Sequence, residues 1–161
     1  MIAHFHFDKV LTLPLASDVV IREYQHGGQG ETLNAIEMAS QLKEKYRESE
    51  IVECARNVLT GAMSHGVSHI RAFGDVDTKA RLIGLQALLK ISEELKGLVD
   101  IQVVAFSQDG IKREAGAVEY IWKAMDLVPM LSVAFLGLSM QSIMRSITLI
   151  SIQAREEIRQ R

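Results

Sequence analysis

The sequence predicts an α/β fold in which a parallel sheet is built from βα units. Two observations carry that prediction. Short apolar runs alternate with longer stretches whose apolar residues recur every three to four positions. The short runs are also apolar on both faces, as a sheet covered by helices requires. At 161 residues and 48% hydrophobic, the chain is long enough for one domain with a sizeable core.

Each element follows from local chemistry. Met1 to Phe7 is short, apolar and aromatic, and reads as a strand. Gly27 to Gly30 (GGQG) is a loop. From Thr32, a natural N-cap, apolar residues recur at Leu33, Ile36, Ala39 and Leu42, which is a helix. Ser49 is placed to cap a second helix through Ile51, Ala55, Val58, Leu59 and Ala62, ended by Gly66. Val67 to Phe73 is a strand, Thr78 to Lys96 a long helix ended by Gly97, and Ile101 to Phe106 a near-continuous apolar strand. Gln108-Asp109-Gly110 is turn chemistry, and Glu114 to Leu127 is another helix.

The remaining composition narrows the function classes. A formal charge of −2, from 18 basic and 20 acidic residues, leaves no electrostatic footprint for nucleic acid. A single cysteine, Cys54, forms no internal disulfide and fits a reducing compartment. No signal peptide is readable, so the cytoplasm is the default location. Val128 to Met144 breaks the rhythm: it carries no charge over 17 residues, yet it is short and serine-rich for a membrane span, which takes about 20 apolar residues.

The chemistry concentrates in HFHFDK, residues 4 to 9. On a strand, residues two apart share a face, so His4, His6 and Asp8 are expected to project together. Neutral imidazole suits zinc or iron, and such a metal turns water into a nucleophile near neutral pH. Two histidines hydrogen-bonded on a sheet face, with no metal, are the structural alternative. Zinc in a catalytic site takes three protein ligands, so the pair alone is incomplete.

HFHFDKVLT followed by GETLNAIEMASQLKE, then SHGVSHIRAFGDVD, then DIQVVAFSQDGI, resembles the cytosine-deaminase-like branch of the metal-dependent amidohydrolase superfamily, from about residue 3 to residue 127. The resemblance implies a partial TIM-like (β/α)8 barrel, truncated after about three parallel βα units of the eight. It implies hydrolysis of C–N bonds in cyclic amidines by metal-activated water, with cytosine or an aminotriazine as the class of small cyclic amine substrate. By position, His4 and His6 become ligands of one divalent metal, zinc or iron, and Gln108 the residue that contacts the amide edge of the substrate ring. An amide suits that task because it offers a donor and an acceptor together.

Departures from the family matter too. Members read R-T-H-V-D-V-D after the second strand where this chain reads Arg71-Ala72-Phe73-Gly74-Asp75-Val76-Asp77, so Phe73 replaces a histidine. Asp75 and Asp77 remain, and both are read here as structural, Asp77 as an N-cap. Cys54, His65 and His69 read as bland, and GGQG as a loop near the barrel mouth. The family's further metal ligands, a histidine of the fifth strand and an aspartate of the last, have no counterpart in the sequence. The reading is therefore a fragment with an incomplete metal site, inactive by itself.

The tail supplies a reason. The family continues after KAMDL with a strand such as GADVVGGIP. Encoded from the leucine as TTG GGT GCC GAT GTT GTC GGT GGC ATT CC, that segment loses one G to become TTG GTG CCG ATG TTG TCG GTG GCA TTC C. The shifted reading gives LVPMLSVAF, which is Leu127 to Phe135 here. Residues 1–127 are thus expected to be the N-terminal part of the barrel and 128–161 an out-of-frame hydrophobic tail, lying loosely against the sheet or outside it. Two other classes compete: a non-catalytic truncated paralogue that acts by binding through its open sheet and apolar tail, and a small membrane-attached protein using Val128 to Ile152, against which Arg145 inside that span argues.

Overall fold

The computed structural model describes residues 1–12, 40, 42–108 and 116–128, together with the backbone of 133–135. The GGQG loop, most of the helix expected from Thr32, Asp109-Gly110 and most of the 128–161 tail lie outside the described residues.

The described chain runs β1 (Ile2–Phe5), a 3-10 turn (Phe7–Lys9), α1 (Glu48–Ser64), β2 (His69–Asp75), α2 (Ile83–Glu94), β3 (Asp100–Ser107), α3 (Ala117–Met125) and β4 (Val133–Phe135). The strands form one sheet in the order β1-β2-β3-β4, and every neighbouring pair is parallel. The parallel α/β arrangement is therefore the one that the alternating periods predict.

Helices cover one face. Ile51, Val52, Ala55 and Leu59 of α1, Leu85, Leu88 and Ile91 of α2, and Ile121 and Ala124 of α3 pack with Ile70, Ala72, Val103 and Ala105 of the sheet in a single cluster. On the opposite face Phe73, Val104 and Phe106 form a smaller cluster. Gly74 faces the helices, where a Cβ would meet the Leu85 backbone nitrogen at 3.1 Å, so the small residue lets α2 approach the sheet.

Element boundaries differ from the sequence expectation for identifiable reasons. α1 begins at Glu48, one residue before Ser49, with Arg47 as an N-cap that makes no side-chain bond. Its end is as expected. Gly66 adopts φ +79°, and the Gly66 and Val67 amides return to the Met63 and Ala62 carbonyls, a Schellman closure. The long helix expected from Thr78 starts only at Ile83. The Asp77 carboxylate takes up the Lys79 and Ala80 amides at 2.9 and 2.7 Å, capping a single turn, and Arg81 at φ +53° breaks it.

Three residues of the tail, Val133–Phe135, join the sheet beside β3 rather than lying loosely outside it. Val128 is buried in the main core. An open strand edge offers unpaired backbone groups to any extended apolar segment, whatever its origin. No helix among the described residues is long and apolar enough to cross a membrane.

Candidate metal centre

The carboxyl ends of β1, β2 and β3 meet at one edge of the sheet, and the histidine pair stands there. The pairing of β1 with β2 decides which way it faces. Ile2 pairs with Ile70 and Phe5 with Ala72, so two residues of β1, Ala3 and His4, oppose the single Arg71 of β2. This bulge reverses the alternation. Ile2 packs toward the helices, and Phe5 meets Phe7 of the helix-side core at 4.4 Å. His4 is thereby turned to the other face, where its ring stacks on Phe73 with centroids 4.0 Å apart. His6 meets Phe106 edge-on at 5.1 Å. Without the bulge, His4 would share the helix side with Ile2.

The strand ends at Phe5, and His6 leads into the 3-10 turn. Asp8 therefore does not join the histidines by strand alternation, as expected, but by the turn. It is fully buried, with Oδ1 3.8 Å from His6 Nδ1. Its Oδ2 accepts the Asp75 amide at 3.0 Å and the Tyr46 hydroxyl at 3.2 Å.

Behind the pair lies a buried ionic network. Lys9 Nζ is 2.6 Å from Asp75 Oδ1 and 3.4 Å from Asp8 Oδ2. Lys43 Nζ is 2.8 Å from Asp75 Oδ2 and 2.6 Å from Asp77 Oδ2. Both Asp75 oxygens thus sit at ion-pair distance from an ammonium, without the alignment of a hydrogen bond. Burial alone would raise Asp75, but His6, Lys9 and Lys43 hold its carboxyl well below the usual aspartate range. Burial raises Asp8, against the pull of Lys9. Burial would lower Lys43, and Asp75 and Asp77 overcome it and raise the amine. Burial and the nearby Asp8 and Asp75 raise the Tyr46 phenol. Desolvation among its neighbours, then the charges of His6, Arg71 and Lys9, lower His4, favouring the neutral imidazole that a metal needs.

Two donor sets compete for a cation. His6, Asp8 and Asp75 offer atoms within 4.8 Å of one another. Those carboxylates already hold Lys9, and Asp75 also holds Lys43, so an ion there would have to expel an ammonium. The other set is His4 Nε2 and His6 Nε2, which face each other at 3.3 Å. Two imidazole ligands on a tetrahedral zinc with bonds of about 2.1 Å stand roughly 3.4 Å apart. The pair fits a shared divalent ion, with His6 Nδ1 left to face the acidic network, an outer partner of the kind ligating histidines keep.

The sequence-predicted residues are thus partly gathered. His4 and His6 converge. Gln108 follows Ser107 directly at the carboxyl end of β3 and is half-buried, and among the described residues no hydrogen bond joins it to the histidines. Phe73, in place of the family histidine, is the stacking floor under His4. Asp75, ranked as structural, lies 3.5 Å from His6 Nδ1. Asp77 caps the turn before α2 and pairs with Lys43. Lys43 and Tyr46 escaped sequence reading, because a lysine on an amphipathic helix looks like a solvated residue.

Asp8 is seated against α2 by Gly84, where a Cβ would come within 2.9 Å of the Asp8 Cβ. Gly84→Ala is expected to lower stability by about 1–3 kcal/mol despite alanine's better helix propensity, because the core there is already full. Urea unfolding of the variant checks this, and an unchanged or raised midpoint would contradict it.

No family model matches the sequence. Individual relatives do. The chain is 36% identical over 85 residues to N-isopropylammelide isopropyl amidohydrolase of Pseudomonas sp. (strain ADP), covering 51% of this chain and 21% of that protein. It superposes on 5-methylcytosine deaminase from Klebsiella pneumoniae liganded with 5-fluorocytosine, with a TM-score of 0.65, 29% identity, and coverage of 77% of this chain and 28% of that one. This chain resembles the cytosine-deaminase-like branch of the amidohydrolases. The same deaminase liganded with phosphonocytosine matches at a TM-score of 0.61 and 28% identity. The chain spans about a fifth of the curated amidohydrolase and just over a quarter of the solved deaminase.

Proposed function

We propose that this chain carries the opening βα units of a metal-dependent amidohydrolase barrel, whose whole enzyme hydrolyses a C–N bond in a small cyclic amine such as cytosine or an aminotriazine. The observation that supports this most directly is the 3.3 Å approach of His4 Nε2 to His6 Nε2 at the carboxyl edge of the sheet. Active sites of (β/α)8 barrels are built at that edge. The sheet adds support. The sequential order β1-β2-β3-β4, with the described helices packed in one core, has no reversal of direction across the sheet, which suits a barrel rather than a doubly wound sheet.

In this reading His4 and His6 hold one divalent ion, zinc or iron, by Nε2. When bound, the ion supplies a Lewis acid that makes a water nucleophilic near neutral pH. His6 keeps its orientation through Nδ1, which faces Asp75. Gln108 matches the amide edge of a planar ring through its paired donor and acceptor. Phe73 and Phe106 give the site an apolar floor that limits water. A cytoplasmic setting goes with this reading. The carboxylates nearest the pair are committed to lysines, so none is free to move a proton during hydrolysis. The chain by itself is therefore a fragment that binds metal weakly and turns over little or no substrate.

The test is a zinc titration of the full chain by calorimetry, followed by an ammonia-release assay on cytosine with the metal-loaded protein. Weak binding that disappears in both His4→Ala and His6→Ala, with no ammonia released, is the expected result. Zinc binding unaffected by either substitution would overturn the ligand assignment. Turnover that is lost in His6→Ala would overturn the inactivity.

The division into a barrel part, 1–127, and an out-of-frame tail, 128–161, belongs to the same proposal. A tail never selected against this core should contribute little beyond Val128 and the three residues of β4. A chain ending at Leu127 is expected to unfold within a few degrees of the full chain and to be more soluble. A large drop in its melting temperature would mean that the tail packs as an evolved element.

A further inference from the structure

Lys9 stands where a proton on His6 must be decided. Its ammonium nitrogen is 3.2 Å from His6 Nδ1, 2.6 Å from Asp75 Oδ1 and 3.4 Å from Asp8 Oδ2. An ammonium has three donors and no acceptor. Facing it, Nδ1 is stable only as a lone pair, since an N–H there would set donor against donor. The neutral imidazole then carries its proton on Nε2, the atom that faces His4 Nε2 at 3.3 Å. In that tautomer the two histidines satisfy each other, His6 donating and His4 accepting. That arrangement closes the position where a shared ion would sit, because ligation needs a lone pair on each Nε2.

We propose that Lys9 is the positioning residue that sets the tautomer of His6, and that Nε2 becomes available to a metal ion only when Lys9 leaves Nδ1. The proton then leaves Nε2 and one is bound at Nδ1, so the imidazole stays neutral. Asp75 Oδ1, 3.5 Å from Nδ1, is the acceptor that receives the new N–H. Lys9 keeps its charge and its pairing with Asp8. Asp75 is thus shared between two donors that alternate, the Lys9 ammonium and the His6 Nδ1–H. The inference rests on the metal reading for its consequence, while its first half concerns the metal-free chain alone.

The experiment is a long-range proton–nitrogen correlation spectrum of the metal-free, full-length protein, with the His6 signals identified by their loss in His6→Ala. The expected wild-type pattern is that of the Nε2–H tautomer. Lys9→Met should convert His6 to the Nδ1–H tautomer and tighten zinc binding by roughly tenfold, the size of effect that outer partners of ligating histidines have. Lys9→Arg, which keeps a cationic donor, should retain the wild-type tautomer and affinity. A purely structural role for Lys9 would not separate these two variants by tautomer. Wild-type His6 protonated on Nδ1, or on both nitrogens, overturns the proposal, as does Lys9→Met with the tautomer unchanged. If Lys9→Met fails to fold, the wild-type spectrum still decides. Zinc binding that is indifferent to His4→Ala would sink the metal reading and leave the tautomer result standing.

Discussion

Replacing Lys43 by methionine is expected to lower folding stability by about 3–5 kcal/mol, the range for removing one partner of a buried ion pair. The lysine is completely buried and bridges Asp75 and Asp77 at 2.8 and 2.6 Å. Methionine fills the space but leaves both carboxylates short of a counter-charge. The loss should shrink when Asp77→Asn is added. Asparagine keeps the oxygen that caps the Lys79 and Ala80 amides, while one buried charge disappears. A double-mutant cycle should therefore show a coupling of roughly 0.5–3 kcal/mol. The pH dependence has a definite sign. The folded-state value of Lys43 is raised, so its stabilisation is fully present below the unfolded value and is lost as pH rises through the folded one. Tyr46, also raised, acts in the same direction. Denaturant unfolding of the single and double variants measures all of this. A loss below about 1 kcal/mol in Lys43→Met would show that the network is not a structural keystone.

Asp75→Asn is expected to cost a comparable amount, about 3–5 kcal/mol at neutral pH, and to flatten the acid limb of the stability curve. Asp75 is depressed in the folded protein, so its contribution is present above the unfolded aspartate value and is lost as pH falls through the folded one. Asp8 has the opposite sign: raised by burial, it favours the folded state below its unfolded value and loses that contribution as pH rises. Acidification therefore relieves Asp8 while it weakens Asp75. Removing Asp75 should leave a variant that is less stable at pH 7 but whose stability falls less as pH drops below about 4, from the unfolded aspartate value toward the depressed folded one. Parallel acid titrations followed by far-ultraviolet circular dichroism compare the two proteins. An acid limb as steep in the asparagine variant as in wild type would assign the acid sensitivity elsewhere.

The sequence by itself determined the parallel α/β class, the three main strands, the Gly66 stop after α1 and the histidine pair as the place to look. These are local properties: apolar period, turn chemistry, and residues two apart on an extended chain. Its family motifs also pointed to relatives that direct comparison then found. Only the tertiary structure decided the rest. The bulge that turns His4 toward Phe73 depends on how β1 registers against β2, and no pattern within MIAHFHF reveals it. The late start of α2 depends on an Asp77 carboxylate that spends one oxygen on a turn and the other on Lys43. The ionic network joins Lys9, Lys43, Asp75 and Asp77, with Tyr46 bonded to Asp8 from 38 positions away in sequence. Spacing cannot expose such a network, because charges become partners only when folding removes the water that would otherwise have screened them.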